Sequence, residues 1–408
     1  MRRIGRALYS ALVLCCCALW GILGYLYYTM PDSITVTRGE DFHIGALVDS
    51  APCGGSRSVA SVGEPEQHAA YLRFLGLFPI KQAGVTVTDT PVVMVCGTPF
   101  GIKIYTEGVL IVGTGDVLTA AGAVNPATAA GLTIGDTILS VNGVAVTTNE
   151  QVAEQINRCG GRPVTMRVRR DGVDFDATFS PVRPLDGEGY RAGLWVRDSS
   201  AGVGMLTFYD PDSGVYAGLG HAVCDVDTGT QLSVSGGEIV PARIYEVRRS
   251  VVGTPGELQG GFEPGTLGKL LLNSSGGLYG TLSHYPLTGT TMPVAMKQQV
   301  HTGAAQILTT LEGTRPALYE VEIEQVRLNA SSKVRNMVIR VTDEKLLSAT
   351  GGIVQGMSGS PVLQNGRLIG AITHVLVNDP TRGYAIFAEN MLETAQSVAN
   401  SEKLRDAS

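Results

Sequence analysis

The longest uninterrupted apolar stretch of the chain lies at its N-terminus. Arg2, Arg3 and Arg6 precede a run without charge from Ala7 to Tyr28, and Asp32 carries the next charge. A helix of this length rises about 33 Å, enough to cross the roughly 30 Å of hydrocarbon in a bilayer. Arginines before the run and acidic residues after it predict a single-pass membrane protein whose C-terminal domains are extracytoplasmic.

A cleaved signal peptide is the alternative interpretation of this segment. Its apolar run would be shorter, and a cleavage site of the small-x-small type would follow it. The sequence LGYLYYTMPDS after the run contains no such site. We therefore expect residues 1–30 to form a cytoplasmic tip and an uncleaved transmembrane anchor.

Short apolar runs separated by turn formers predict a mainly β chain after the anchor. Residues 31–99 include the Gly/Ser/Pro-rich stretch APCGGSRSVASVGEPEQ and predict an extended stalk that gains strands toward its end. Residues 182–195, VRPLDGEGYRAGLW, predict a linker. Residues 195–408 then show the short strands of a β-barrel or sandwich, with one helix in MLETAQSVANSEKL.

Residues 100–182 have a more specific pattern. Strand-like FGIKIY and GVLIVG are followed by PATAAGL at 126–132, GDTILSVNG at 135–143, a polar helix and a hairpin around Asp171-Gly172. This pattern resembles a PDZ domain of the bacterial protease type. The resemblance implies capture of peptide C-termini by strand addition, with Phe100, Gly101 and Ile102 as the carboxylate-binding loop. Alternatively, these three are ordinary strand residues packed against a neighbouring domain.

Composition and cysteine spacing narrow the class of protein. With 52 Gly, 19 Pro and 17% charged residues, the chain suits compact strand-rich domains. Its net charge is −6 and no basic block occurs, which argues against nucleic acid as a partner. We expect no metal and no cofactor, because no HExxH and no zinc-finger spacing is present. Four cysteines are expected outside the membrane, with three possible pairings left open: Cys53, Cys96, Cys159 and Cys224.

The stretch GMSGSP at 356–361 carries the candidate chemistry. Glycines around Ser358 predict a tight loop that presents its hydroxyl, and the N–H groups of Gly356 and Ser358 can form an oxyanion hole. The loop and the following strand, Asn-Gly turn and strand are similar to the nucleophile loop of chymotrypsin-like peptidases. Met357 replaces the usual Asp and Ser360 the usual Gly. Alternatively, it is a Gly/Ser loop that caps a hairpin.

A serine nucleophile needs a base, and the chain has six histidines. His221 lies in the small-residue segment YAGLGHAVCD, well upstream of Ser358. Its main rival is His374, which follows the second strand after Ser358 and could be a core histidine. Chymotrypsin-like barrels place the histidine upstream of the serine, in the other half of the fold, which favours His221.

Longer segments resemble one family, the stage IV sporulation protein B peptidases. They are AGVGMLTFYDP, GLGH, GIVQGMSGSP and THVLVNDPTRGYAIF, and the resemblance extends over nearly the whole chain. It implies a chymotrypsin-like β-barrel peptidase domain with Ser358 as nucleophile, His221 as base and Asp343 as the carboxylate that orients the imidazole. Asp225 and Asp227 remain alternatives, because they lie near His221 in the sequence.

The same resemblance implies a role in sporulation signalling. The expected protein is a self-cleaving serine endopeptidase in the intermembrane space of the forespore, where its own cut can release it. Its expected substrate is the regulator of an intramembrane metalloprotease, whose activity leads to a late sigma factor. The alternative is a catalytically inactive, membrane-tethered PDZ adaptor. The presence of both His221 and Ser358 argues against this alternative.

Overall fold

The computed structural model describes residues 2–38, 43–44, 48–52, 66–283, 289–329, 332 and 334–406. It begins with helix α1, Arg2–Thr29. The segment Ala11–Thr29 has a mean hydropathy of 1.8, and none of it is buried inside the protein. By length and composition it could cross a membrane or serve as a signal sequence.

A five-stranded sheet follows α1, with the strand order β1-β5-β4-β3-β2. The sequence predicted an extended stalk here, but alternating residues on one face, such as Ala83 and Val85, are buried. They allow strands to pair into a layer, with Ile34 and Leu72 in its small core. The strands are β1 Ser33–Thr37, β2 His43–Ile44, β3 Val48–Pro52, β4 Glu66–Phe74 and β5 Phe78–Thr88.

The next group of elements contains a small domain with its own core. Helix α3 begins with a capping box between Thr148 and Gln151 and buries Val152 and Ile156 against the sheet. The elements are β6 Val92–Val95, β7 Pro99–Thr114, β8 Val117–Thr119, β9 Gly122–Val124, α2 Pro126–Ala129, β10 Thr137–Val141, β11 Val144–Ala145, α3 Asn149–Arg158, β12 Val164–Arg170 and β13 Val173–Phe179.

The third group completes a six-stranded barrel. Hydrogen bonding closes the ring β7-β16-β18-β19-β15-β14, because the long strand β14 pairs back with β7. Phe100, Ile104 and Tyr216 are among the side chains that fill it. The strands are β14 Leu194–Asp210, β15 Val215–Gly218, β16 Val234–Arg248, β17 Glu257–Phe262, β18 Gly268–Ser274, β19 Gly277–Leu282 and β20 Thr290–Pro293.

The small domain is inserted between the first two strands of this barrel. The beginning of β7 pairs with β14 and β16 in the barrel, whereas its end pairs with β10 and with the first residues of β14. Gly108, with φ of +80°, lies where the strand passes from one sheet to the other, and a Cβ there would come within 2.5 Å of the Ile138 carbonyl oxygen. The strand pairings pass from the barrel to the small domain near Gly108 on β7 and near Asp198 on β14. The boundaries of 100–182 and 195–408 stay predictions.

The last group forms a second closed barrel, in the order β21-β22-β23-β26-β25-β24. Asn365 and Gly366 turn β24 into β25 with positive φ, as the sequence predicted. Two six-stranded barrels side by side confirm the predicted mainly β, chymotrypsin-like architecture. The elements are a 3-10 turn Lys297–Gln299, β21 Gly303–Thr309, β22 Ala317–Val326, β23 Met337–Val341, α4 Glu344–Thr350, β24 Pro361–Gln364, β25 Arg367–Val375, β26 Arg382–Phe387 and α5 Ala388–Asp406.

Three of the four outer cysteines lie in described parts of the chain. Cys96 and Cys159 are buried, Cys224 is exposed, and all three are free thiols. Burial raises the pKa of the Cys96 thiol to about 12, so this thiol is protonated and unreactive. Cys53 lies outside the described residues.

Candidate active site

The two barrels face each other across a cavity of about 530 Å³. His221 lines it from the first barrel, and Gly356, Ser358 and His374 line it from the second. The remaining wall includes Ser200–Val203 of β14. The structure thus brings the predicted base, the predicted nucleophile and one predicted oxyanion donor to a single cleft.

His221 is presented by a tight turn after β15. Leu219 and Gly220 both have positive φ, and a Cβ on Gly220 would lie 3.0 Å from the Thr373 methyl group. The Nδ1 atom of His221 lies 2.7 Å from the carbonyl oxygen of Ala222, so in the neutral ring this nitrogen donates a hydrogen. The Nε2 atom then carries the lone pair that a general base uses.

The surroundings of His221 favour its neutral form. Burial lowers the pKa of this imidazole from its ordinary value of 6.5, and the hydrogen bond to Ala222 opposes the shift only in part. A ring that is neutral near pH 7 can accept a proton from a nearby hydroxyl.

Ser358 lies in a loop that packs closely on the first barrel. Its carbonyl oxygen accepts a hydrogen bond from the Met205 N–H at 2.9 Å, and a Cβ on the following Gly359 would lie 2.1 Å from the Met205 carbonyl oxygen. The Ser358 hydroxyl donates to the Thr373 carbonyl oxygen at 2.8 Å. In this state the hydroxyl is therefore bonded to strand β25 and not to the imidazole.

Two consecutive turns around Ser358 leave particular N–H groups unused. Met357 donates to the Val354 carbonyl, Ser360 to the Met357 carbonyl and Gly359 to the Ile372 carbonyl. Within the described chain, the N–H groups of Gly356 and Ser358 have no acceptor, and Gly356 has a φ of +90°. Two free N–H groups beside a nucleophile are what an oxyanion hole requires.

His374 lies beside His221. The two ring centroids are 4.9 Å apart at an angle of 38°, and the His374 Nδ1 atom is buried without a partner among the described residues. Burial lowers the pKa of His374 to about 4, and the charges of His221 and Arg335 act in the same direction. This second imidazole therefore stays neutral and packs against the first.

The structure does not bring a carboxylate to His221 among the described side chains. Asp343 caps helix α4: its carboxylate accepts hydrogen bonds from the N–H groups of Leu346 at 2.9 Å and Glu320 at 3.3 Å. These N–H groups lower its pKa, the Leu346 bond contributing most. The place predicted for Asp343 beside the imidazole is taken by the Ala222 carbonyl.

The two alternative carboxylates have other partners too. Asp225 forms an ion pair with Arg197 and accepts hydrogen bonds from the N–H groups of Asp227 and Thr228. Asp227 pairs with the same guanidinium at 2.7 Å. Neither lines the cavity. They fix the turn that follows the His221 segment and tie it to β14.

Asn273 is a buried residue that forms hydrogen bonds to the segment following His221. It was not identified from the sequence. It is buried at the end of β18, where its Oδ1 accepts from the Val223 N–H at 2.8 Å. Its Nδ2 donates to the carbonyl oxygens of Val223 at 2.8 Å and Leu232 at 2.9 Å. An asparagine that ends the apolar run LLLN was the available signal.

The predicted carboxylate-binding loop lies elsewhere than expected. Phe100, Gly101 and Ile102 are buried in β7, and Gly101 is opposite Val203 on one side and Val240 on the other. A strand that is paired on both edges cannot add a peptide strand. The prediction for Phe100, Gly101 and Ile102 is therefore wrong: these residues belong to the first barrel, and Ile102 lines the cavity between the barrels.

A different groove is open in the inserted domain. It encloses about 370 Å³ between α3 and the start of β14, and Val152, Ile156 and Trp195 are among its lining residues. Among the residues that the structure describes, 194–197 pair with β7 and with no other strand, and Leu194, Trp195 and Val196 line the groove. Gly193, with φ of +80°, turns the chain into this strand.

Two family models match the chain. The family model described as SpoIVB peptidase S55 matches residues 188–392, and a PDZ domain model matches residues 116–170. No curated protein matches the chain. Among solved structures, the chain is similar to the active form of the Rv3671c protease from M. tuberculosis, at 14% identity and a TM-score of 0.29, over 49% of this chain and 74% of that one. It is also similar to the HtrA-type protease AlgW with decapeptide, at 14% identity and a TM-score of 0.31, over 54% of this chain and 61% of that one.

Proposed function

Since this serine peptidase belongs to the SpoIVB peptidase S55 family, we propose that Ser358 is its nucleophile and His221 its general base. The observation that carries the proposal is the cleft: the two side chains line one cavity from opposite barrels. The His221 tautomer fixed by the Ala222 carbonyl adds support, because it leaves Nε2 free to accept a proton.

The reaction begins with a rotation of the Ser358 side chain away from the Thr373 carbonyl. His221 then takes the hydroxyl proton at Nε2 while the serine oxygen attacks the peptide carbonyl carbon. The oxyanion that forms is held by the N–H groups of Gly356 and Ser358, each worth about 3–4 kcal/mol in the transition state. The imidazolium protonates the leaving amine, and water hydrolyses the acyl-enzyme in the same way.

The Ala222 carbonyl takes the orienting role that a carboxylate has in other serine peptidases. It holds the imidazole in one tautomer, and its dipole favours the positive ring formed after proton transfer. It contributes no full negative charge. The stabilisation of the imidazolium is therefore weaker than in a triad with an aspartate.

Labelling with a fluorophosphonate probe tests the nucleophile directly, because only an activated serine reacts. We expect the wild-type chain to be labelled and Ser358→Ala and His221→Ala to lose labelling. Ser360→Ala is the matched control, since the Ser360 hydroxyl is buried against Thr309, away from the cleft. Labelling of Ser358→Ala at the wild-type rate would overturn the assignment.

The second candidate is a PDZ adaptor without catalytic activity. It is favoured by one observation, the bond from the Ser358 hydroxyl to the Thr373 carbonyl in place of one to an imidazole. An unlabelled wild-type chain that still binds peptide C-termini would establish it.

Helix α1 and the family membership support a location and a substrate for this peptidase. We propose that α1 anchors the chain in the membrane with both barrels outside the cytoplasm, a placement supported by the arginines that precede the apolar run. The family membership supports self-cleavage and action in the intermembrane space of the forespore. It also supports a substrate that regulates an intramembrane metalloprotease, upstream of a late sigma factor.

We also assign the capture of peptide C-termini to the groove between α3 and β14. A peptide there would add a strand to the open edge at Leu194–Arg197, with its carboxylate at the turn formed by Ala192 and Gly193. Binding of a fluorescent peptide with a free C-terminus, compared with the same peptide amidated, tests this assignment. Equal affinity for both forms would contradict it.

A further inference from the structure

The hairpin between β4 and β5 has an unusual tip. The sequence there is Phe74-Leu75-Gly76-Leu77-Phe78, and Leu75, Leu77 and Phe78 are 52%, 75% and 42% exposed. Tight hairpin turns ordinarily consist of Asn, Asp, Gly and Ser, whose polar side chains remain in water. This tip instead presents three large apolar side chains at the end of a sheet.

The backbone conformation of the tip is a second indication that its apolar residues have a role besides forming the turn. Leu75 adopts a φ of +52°, a conformation that costs a leucine free energy and that glycine or asparagine adopts readily. The chain thus keeps an apolar side chain at a position where a polar or smaller residue would fold more easily.

The position of the tip follows from the contacts between β5 and α1. The Lys81 Nζ atom donates to the Met30 carbonyl oxygen at 3.1 Å and lies 5.3 Å from the centre of the Tyr27 ring. Lys81 is therefore level with the last turns of α1. Leu26 of the same helix packs against the small core that holds Leu72.

The direction of β5 then places its beginning toward the membrane. Strand β1 leaves the end of α1 and runs parallel to β5, with Ser33 opposite Gly84. Followed backwards from Gly84, β5 passes Lys81 beside Tyr27 and reaches Phe78 three residues later, roughly 10 Å further along the strand. The apolar tip therefore lies alongside the span that enters the bilayer.

The charges around the tip suit a lipid surface. Between Tyr71 and Ala83 the charged residues are Arg73 and Lys81, both basic, and Lys81 forms an ion pair with Asp32 at 2.5 Å. Apolar side chains at a tip with the basic Arg73 behind them match an interface of acyl chains below phosphate headgroups. Tyr27 and Tyr28 of α1 are exposed at the same level, as in an aromatic belt.

We propose that the hairpin tip Leu75–Phe78 inserts into the outer leaflet of the bilayer that α1 spans. The proposal rests on the proposed membrane anchor and adds a second, non-helical contact to it. Two attachment points fix the orientation of the N-terminal sheet relative to the membrane. A single helix would leave the sheet free to rotate.

Photo-crosslinking in proteoliposomes tests the proposal with the full-length chain. Benzoylphenylalanine is placed in separate proteins at position 77, at position 14 in α1, and at position 318 on the second barrel. Leu14 is 70% exposed and Leu318 is 51% exposed, so both serve as apolar surface controls. The readout is the mass of phospholipid adducts after irradiation.

We expect phospholipid adducts at positions 14 and 77 and none at position 318. Adducts at position 14 without adducts at 77 would overturn the hairpin contact and leave the anchor in place. An absence of adducts at both 14 and 77 would overturn the anchor and the contact together. Equal yields at 77 and 318 would show that the tip has no specific contact.

Discussion

The Ser358 hydroxyl donates its hydrogen to the carbonyl oxygen of Thr373 at 2.8 Å. Thr373 precedes His374 on β25, so the proposed nucleophile is held by the strand that carries the second imidazole of the cleft. In the proposed mechanism, activation consists of one side-chain rotation that exchanges this carbonyl for the His221 Nε2 atom.

Asp343 offers the sharpest test of the site. Because its carboxylate caps α4, we expect Asp343→Ala to lower the free energy of unfolding by about 0.5–2 kcal/mol. Asparagine caps a helix as well as aspartate does, so Asp343→Asn should retain both stability and peptidase activity. Thermal unfolding and fluorophosphonate labelling rate are measured on the same preparations. A stable Asp343→Asn protein with activity lowered by about 10⁴ would instead make Asp343 the triad carboxylate.

The His374 imidazole makes stability depend on pH. Its pKa is about 4 in the folded chain and near 6.5 in the unfolded chain, so the unfolded chain binds more protons between these values. We therefore expect the Tm of the wild-type protein to fall as the pH decreases from 6.5 to about 4. His374→Phe should lose less stability over this window. His301→Gln serves as control, because the His301 ring is exposed. The same decrease in all three proteins would contradict this explanation.

Asn273 is expected to act on catalysis through the position of His221. Asn273→Leu removes three hydrogen bonds, to the Val223 N–H and to the Val223 and Leu232 carbonyl oxygens. The Val223 carbonyl oxygen still accepts from the Leu232 N–H, whereas a buried group left unsatisfied costs about 1–3 kcal/mol. We expect a lower Tm and, in protein that remains folded, slower fluorophosphonate labelling of Ser358. Asn273→Asp keeps the acceptor but turns a buried carboxylate oxygen toward the Val223 and Leu232 carbonyl oxygens, and should lower the Tm at least as much. Labelling at the wild-type rate in folded Asn273→Leu protein would show that Asn273 does not position His221 for catalysis.

Gly193 is expected to be needed for peptide capture. A Cβ at this position would lie 2.6 Å from the Gly115 carbonyl oxygen, so Gly193→Ala should displace the turn that leads into the groove. We expect the affinity for a peptide C-terminus, measured by fluorescence anisotropy, to fall at least tenfold, or about 1.4 kcal/mol. Gly143→Ala is the control, because Gly143 has nearly the same φ and no atom within 4 Å of the added carbon. An equal loss of peptide affinity in both variants would show that backbone strain alone causes the effect.

The sequence was most informative where the signal is local. The GMSGSP loop and the Asn365-Gly366 turn are short motifs whose backbone is dictated by glycines, and the structure places Ser358 and His221 in one cleft. The PDZ domain and the peptidase family were identified from the sequence, and both are confirmed by family models.

The features that were not predicted from the sequence depend on contacts between residues far apart in the chain. FGIKIY has the composition of an edge strand beside a ligand, but Gly101 is opposite Val240, which follows it by 139 residues, and this pairing closes the edge. The Ala222 carbonyl has no side-chain signature at all, so a carboxylate was sought in its place. Strands were expected toward the end of residues 31–99, but their pairing into a sheet was missed, because the Gly/Ser/Pro-rich stretch separates β3 from its partner β4.

Strand β14 belongs to both functional regions of the molecule. Its first residues border the PDZ groove, and Ser200–Val203 form a wall of the cleft. The pairing of β14 with β7 shifts its register between Arg197 and Ser199, so an irregularity at Asp198 separates the two halves of the strand. One extra residue at this irregularity would enlarge a bulge and change the angle between the groove and the cleft wall, while the alternation of side chains within each half would stay the same.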